Sequence, residues 1–287
     1  MTESLSQHNQ EWYRRGPVPA PSPRLSEEFL ARLVAELDDE TVRAIILRGS
    51  YARGDATPPY SDVDLTRIIQ ETAGPDQPKY YIWREGYLVS VSTHSYAAYH
   101  ERLRQPRQAI FAVTGIQEAR VLLDKDGAFQ QLEQQAKAFQ WEPLQAAANH
   151  YAGQKMMELT EIVLRMLKML ERPDEVLLAK MLFDIIADVT EAIAVQRGVL
   201  IVGQGYFHQV QETVGLDSAW THYQRRALGI PGSTDTLPSL RERAIAALRL
   251  YQETFGLFRP SLSARHREAI EPLTDVIEQI LAHEEIR

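Results

Sequence analysis

Leu47-Arg48-Gly49-Ser50-Tyr51-Ala52-Arg53-Gly54, followed shortly by Tyr60-Ser61-Asp62-Val63-Asp64-Leu65, carries more information than any other part of this chain. The apolar run Val42 to Arg48 reads as a strand, and Gly49-Ser50 as the turn into a short helix bearing Arg53. Pro58-Pro59 then marks a loop, and Val63 to Ile69 a second strand. Side chains alternate along a strand, so Asp62 and Asp64 fall on one face, ~7 Å apart. Two hard oxygen ligands so spaced suit Mg²⁺, which usually takes one or two carboxylates plus the phosphates of its substrate. A Gly-Ser turn opening a helix offers backbone N–H groups and a hydroxyl to a phosphate. Either half alone is most often a plain turn or a solvated strand edge. Their combination points to metal-assisted chemistry on a nucleotide.

Gly49-Ser50, eleven further residues and Asp62-Val63-Asp64 resemble the signature of the DNA polymerase beta-type nucleotidyltransferase superfamily. The similarity is greatest to the aminoglycoside nucleotidyltransferases of the kanamycin type, through Gly49 to Arg53 and Pro59 to Asp64. Leu123-Asp124-Lys125-Asp126-Gly127 also resembles the Asp-x-x-Gly step that often closes the catalytic domain of such enzymes. The resemblance spans residues 42 to 127; beyond them only a helical pattern agrees. It implies an α/β domain with a mixed sheet and flanking helices, followed by an all-α bundle. It implies Mg²⁺ as cofactor, held by Asp62 and Asp64, and ATP or another nucleoside triphosphate at Gly49, Ser50, Arg53 and Ser61. The implied reaction moves a nucleoside monophosphate, AMP from ATP, to a hydroxyl of a small acceptor, an aminoglycoside-like cation among the candidates.

The superfamily commonly places a third carboxylate on a neighbouring strand, and here that position falls at Ser90, with Ser92 two residues on. A hydroxyl is a poor substitute in charge, which disfavours a second tightly held metal. Three explanations stand: a one-metal enzyme, a carboxylate from elsewhere, or a non-catalytic relative that binds nucleotide or a partner. Glu85, in the hairpin turn, reads as a solvated turn residue. Counting along the helical pattern, Glu158 falls where the resemblance implies a general base, with Glu161 as the alternative on the same face. The plain reading of either is an exposed helix glutamate paired with Arg165.

Asp184, Asp188 and Glu191 share a helix face by their i, i+4, i+7 spacing. They read as the solvated side of an amphipathic helix or as a pocket wall for a polycationic acceptor. Arg259 and His266 have the Arg-x₆-His spacing of HEPN-type RNases, but Pro260 argues against a shared helix. His94 and His100 lack ligand spacing, and Gly198 to Gly205 reads as an inter-helix loop.

The 287 residues have room for two modest domains, and 44% apolar residues suffice for a core. Without cysteine there is no disulfide, thiolate zinc site or cysteine nucleophile. The net charge of −8, with 15 Lys and Arg against 20 Asp and Glu from Trp141 onward, disfavours a large nucleic-acid surface. No apolar run reaches membrane-spanning length and the start lacks a secretory pattern, so a cytoplasmic protein is expected, a possible homodimer.

The expected organisation is a Pro-rich tail over 1–23, a catalytic domain over 24–127 and a helical acceptor-binding domain over 128–287. Ser26 caps a helix carrying Phe29, Leu33, Val34 and Leu37. Lys79 to Trp83 and Tyr87 to Thr93 flank Glu85-Gly86 as a hairpin, and Ala119 to Leu123 is the last strand. Helices are expected over 95–104, 106–113, 128–139, 143–170, 174–197, 218–228, 237–255 and 264–283, with none between 198 and 217.

Overall fold

Val42–Arg48 (β1) is apolar throughout its middle, and Ala44, Ile45, Ile46 and Leu47 are all buried, as befits a strand covered on both faces. In the computed structural model, which describes residues 22, 24–71, 77–172, 174–203, 205–231 and 236–284, it sits inside a five-stranded sheet. The other strands are Val63–Ile69 (β2), Gln77–Arg84 (β3), Tyr87–Ser95 (β4) and Arg120–Asp124 (β5), in the spatial order β3-β4-β2-β1-β5. β2 runs parallel to β4, and every other pairing is antiparallel. The sheet is therefore mixed, as expected. The Pro-rich segment, apart from Ser22 and Arg24 onward, lies outside the described residues.

One face of the sheet is closed by Glu27–Leu37 (α1). Ser26 accepts a hydrogen bond from the Phe29 amide at 3.1 Å and so starts this helix. Phe29, Leu30, Leu33 and Leu37 pack with Ile45, Leu47, Val63, Leu65, Val89 and Val91, the odd-numbered positions of three adjacent strands. By alternation, Asp64, Ser90 and their even-numbered neighbours belong to the opposite face. Glu85 and Gly86, with φ of 52° and 85°, form the β3–β4 turn in the left-handed conformation that two-residue hairpins favour.

Gly49–Arg53 (α2) opens directly from β1. Tyr96–Arg102 (α3), Pro106–Gln117 (α4) and Ala128–Lys137 (α5) follow β4 and β5. α4 runs four residues past the expected end at Val113. Gly115 is a weak helix former, but a Cβ there would lie 2.5 Å from Arg48 Nη2, so the glycine makes room for the arginine. The Asp124-Lys125-Asp126-Gly127 step is a helix entry: Asp124 accepts from the Gln130 amide at 3.1 Å and Asp126 from Ala128 at 3.1 Å.

By internal contacts the chain divides into one unit of residues up to Leu103 with Ala112–Phe139, and a second of Arg104–Phe111 with Gln140 onward. The second unit is helical: Gln145–Glu171 (α6), Glu175–Arg197 (α7), Tyr206–Val214 (α8), Ala219–Ala227 (α9), Leu240–Phe258 (α10) and Ala264–Glu284 (α11). Its core joins Met156, Leu159 and Val163 to Leu182, Ile186 and Val189 and to Trp220, Tyr251 and Phe258. A buried polar chain crosses it, Gln211 donating to Gln224 at 2.6 Å and Gln224 to Thr190 at 2.7 Å, so none of these amides is left unsatisfied among apolar neighbours. α8 was not expected; between glycines and only nine residues long, it offers too little periodicity to stand out. α10 begins three residues later than expected because Ser239 and Glu242 form a capping box.

Candidate active site

The even-numbered face of the sheet concentrates polar groups in its middle. Asp64 of β2 stands between Arg48 of β1 and Ser90 of β4, each its direct cross-strand neighbour. Next in the row is Tyr81 of β3, opposite Ser90. Ser90 is fully buried and donates its hydroxyl to Asp64 Oδ1 at 2.5 Å. Lys79, two residues from Tyr81 on the same strand face, donates to the same oxygen at 3.0 Å. Its ammonium lies 5.3 Å from the centre of the Tyr81 ring. Burial alone would lower the pKa of Lys79, but the bond and charge of Asp64, with Tyr81 and Asp62, prevail and raise it. Lys79 was not foreseen. The signal was an opposite charge in phase with the aromatic residues of the hairpin.

The other oxygen of Asp64 faces the Gly-Ser turn. Gly49 has φ of +67°, and a Cβ there would come within 2.7 Å of Asp64 Oδ2. Glycine is required both by the backbone and by the close approach. Asp64 thus links β2 to β3 and β4 by hydrogen bonds and lies against the start of α2. Asp62 lies just before β2 rather than inside it, and its carboxylate has neither hydrogen bond nor ion pair among the described residues. Its charge adds to the rise in the pKa of Lys79.

The remaining candidates of this unit are held less openly. Arg53 is paired with Asp55 at 3.2 Å and with Glu118 at 3.5 Å. Ser61 accepts from the Thr57 amide at 2.8 Å, bracing the loop before Asp62 and leaving its own hydroxyl proton to donate. Arg48 is a second unforeseen group: its Nε is buried with no partner among the described residues. Ser92 bonds to Thr66 at 2.8 Å, one step further along the strands. Glu85 pairs with Arg32 at the surface, the plain reading expected of it.

Asp62 and Asp64 retain open oxygens of the hard type a divalent cation prefers, so the donor set fits one such ion. Among the described residues, no group of three or more His, Cys, Asp or Glu could hold a metal.

Residues 28–102 match the nucleotidyltransferase domain family. The nucleotidyltransferase match runs from α1 through α3 and contains Gly49, Ser50, Arg53, Ser61, Asp62, Asp64, Lys79 and Ser90. A nucleotidyltransferase-like protein from Exiguobacterium sibiricum 255-15 is similar in structure, with 15% sequence identity and a TM-score of 0.46, over 81% of this chain and 78% of that one. No curated protein matches the sequence.

The candidates outside the nucleotidyltransferase match lie on the helical unit. Glu158 of α6 is half-exposed, accepts from Gln154 at 3.1 Å and lies 3.8 Å from Lys155. Glu161 is paired with Arg165 in the ordinary i, i+4 manner. Each member of the acidic stripe on α7 has a cation: Asp184 has Lys180 at 2.5 Å, Asp188 has Lys155 at 3.5 Å, and Glu191 has Arg107 at 2.9 Å. Tyr151 also donates to Glu191. Burial works to raise the pKa of Glu191, yet the bonds from Arg107 and Tyr151 outweigh it and hold the carboxyl below its usual range. Burial, reinforced by Glu191, raises the Tyr151 phenol.

Arg259 and His266 do not form a shared site. Arg259 lies in a 3-10 turn and pairs with Glu271, whereas His266 is buried on α11 beside His150. Among the described residues, no helix is long and apolar enough to cross a membrane.

Proposed function

We propose that the protein transfers a nucleoside monophosphate, AMP from ATP, to a hydroxyl of a small acceptor with Mg²⁺ as cofactor. The observation that carries this reading is the pair Asp62 and Asp64 beside Gly49-Ser50: one carboxylate wholly unpaired, the other held against the turn. An unpaired carboxylate next to a paired one adds nothing to the fold, and it is what a cation-dependent site needs. The Mg²⁺, held by Asp62 and Asp64, would neutralise charge on the phosphates.

Gly49 and Ser50 present backbone amide and hydroxyl donors to phosphate oxygens, with Ser61 at the mouth of the loop. Arg53 joins them only by giving up Asp55 and Glu118, so its part is secondary. The acceptor oxygen bonds to the α-phosphorus, the bond to pyrophosphate breaks, and Glu158 takes the acceptor proton. The neutralised stripe on α7 supplies no net negative wall, so the acceptor is defined by its hydroxyl; an aminoglycoside-like cation remains one member of that class.

Ser90, buried and donating into Asp64 where the resemblance expects a carboxylate, favours a second reading, a nucleotide- or partner-binding relative without turnover. Labelled ATP, Mg²⁺ and a panel of hydroxyl acceptors separate the two. Pyrophosphate release dependent on acceptor supports transfer, and nucleotide binding without release supports the second reading. Glu158→Gln is expected to slow turnover by about a hundredfold or more with nucleotide binding kept, the size of a lost general base. Unchanged turnover in both Glu158→Gln and Glu161→Gln would rule out the assigned base.

A further inference from the structure

Asp64 Oδ1 already holds two hydrogen-bond donors, the buried hydroxyl of Ser90 at 2.5 Å and the ammonium of Lys79 at 3.0 Å. That oxygen is not free to ligate a metal. The open ligands are Asp64 Oδ2, beside the Gly49 turn, and the unpaired carboxylate of Asp62. This set can join one divalent cation to the site but cannot flank two.

The charges agree with that count. Having Ser90 rather than a carboxylate removes one negative charge, and having Lys79 adds one positive charge. Together they make the site more positive by two, the charge that a second divalent ion would bring. Lys79 is also placed to do more than neutralise Asp64. An ammonium has three donors, of which Asp64 engages one, and the Lys79 side chain keeps 43% of its surface open. Tyr81 lies beside the ammonium, 5.3 Å from it to the ring centre, and occupies none of its N–H donors with an oxygen. Resting on the nucleotidyltransferase reading of this site, we infer that it takes a single divalent cation, and that Lys79, bound to Asp64 together with Ser90, offers its positive charge to the phosphates in place of a second one.

The test counts metal directly. The full chain is loaded with α,β-methylene ATP and titrated with Mn²⁺, free Mn²⁺ being read by electron paramagnetic resonance. One Mn²⁺ per chain–nucleotide complex is expected for the wild type, and two for the double variant Ser90→Asp with Lys79→Gln. Two in the wild type would overturn the inference while leaving the nucleotidyltransferase reading intact. No nucleotide binding at all would end that reading, and the inference with it. Because Ser90 is fully buried and its variant is prone to misfold, Lys79→Gln alone provides a second measurement. At saturating Mn²⁺ its nucleotide affinity is expected to fall about tenfold, the worth of one charge-assisted contact. Unchanged affinity would overturn the role given to Lys79.

Discussion

Two acidic clusters in this protein look alike in sequence and differ in structure. Asp184, Asp188 and Glu191 on α7 each have a basic side chain, so the helix face they occupy is electrically closed. Of Asp62 and Asp64, Asp64 forms an ion pair with Lys79, and Asp62 forms none among the described residues. Charge left over in a folded protein is costly unless water or a ligand compensates it. A stripe that is fully paired explains itself by structure, whereas a pair that is half-open calls for something more to bind. Number and spacing of carboxylates do not separate the two cases; their partners do.

The sharpest way to break this comparison is to neutralise each cluster in turn. Asp62→Asn and Asp64→Asn should each reduce nucleotidyl transfer by about a thousandfold, the scale of losing a charge-stabilising group at a reacting phosphate. For Asp62→Asn, which breaks no ion pair, denaturant unfolding should stay within ~0.5 kcal/mol of the wild type. A large loss of stability there would mean that Asp62 is structural after all. Gly49→Ala should cost ~1–2 kcal/mol, because alanine strains at a positive φ, and its methyl would also displace Asp64. Chemical denaturation measures the first effect, and weakened Mn²⁺ binding the second.

On the α7 side the expected signs reverse. Glu191→Gln should cost ~1–2 kcal/mol of stability by removing the charge shared between Arg107 and Tyr151, while nucleotide binding stays unchanged. The effect depends on pH. The folded-state pKa of Glu191 lies below 4.5, so its contribution is complete above that pH and is lost as the pH falls through the depressed value. Melting curves at descending pH should therefore show a shallower acid limb in Glu191→Gln than in the wild type. Lys180→Ala, which opens only an exposed pair, should cost less than ~0.5 kcal/mol. A larger change would show that Asp184 is less well solvated than its position suggests.

Much of the first unit was legible because its signals are local. The strands announce themselves by apolar runs, Glu85-Gly86 by its turn chemistry, and α1 by Ser26. The Gly49 turn and Asp64 were brought together as read, since both flank adjacent strands. Lys79 was not legible. Its bond to Asp64 depends on β4 lying between β3 and β2, and residue periodicity does not carry strand order. In the helical unit long helices stood out by period, while α8 was too short to do so. The pairing of the α7 stripe was hidden for another reason: Arg107 and Lys155 come from other helices, and only packing brings them in.

β3 is an edge strand, and its outer side faces nothing within the sheet. It carries Tyr80, Tyr81 and Trp83, all substantially exposed, between Lys79 at one end and Arg84 at the other. An exposed aromatic edge is a template for pairing with the edge of another copy, and flanking basic residues are a common safeguard against it. Lys79, the side chain inferred to stand in for a cation, is one of these flanking basic residues. Loss of its charge should lower the concentration at which the protein begins to scatter light, which would make the lysine inferred to serve chemistry a solubility device as well.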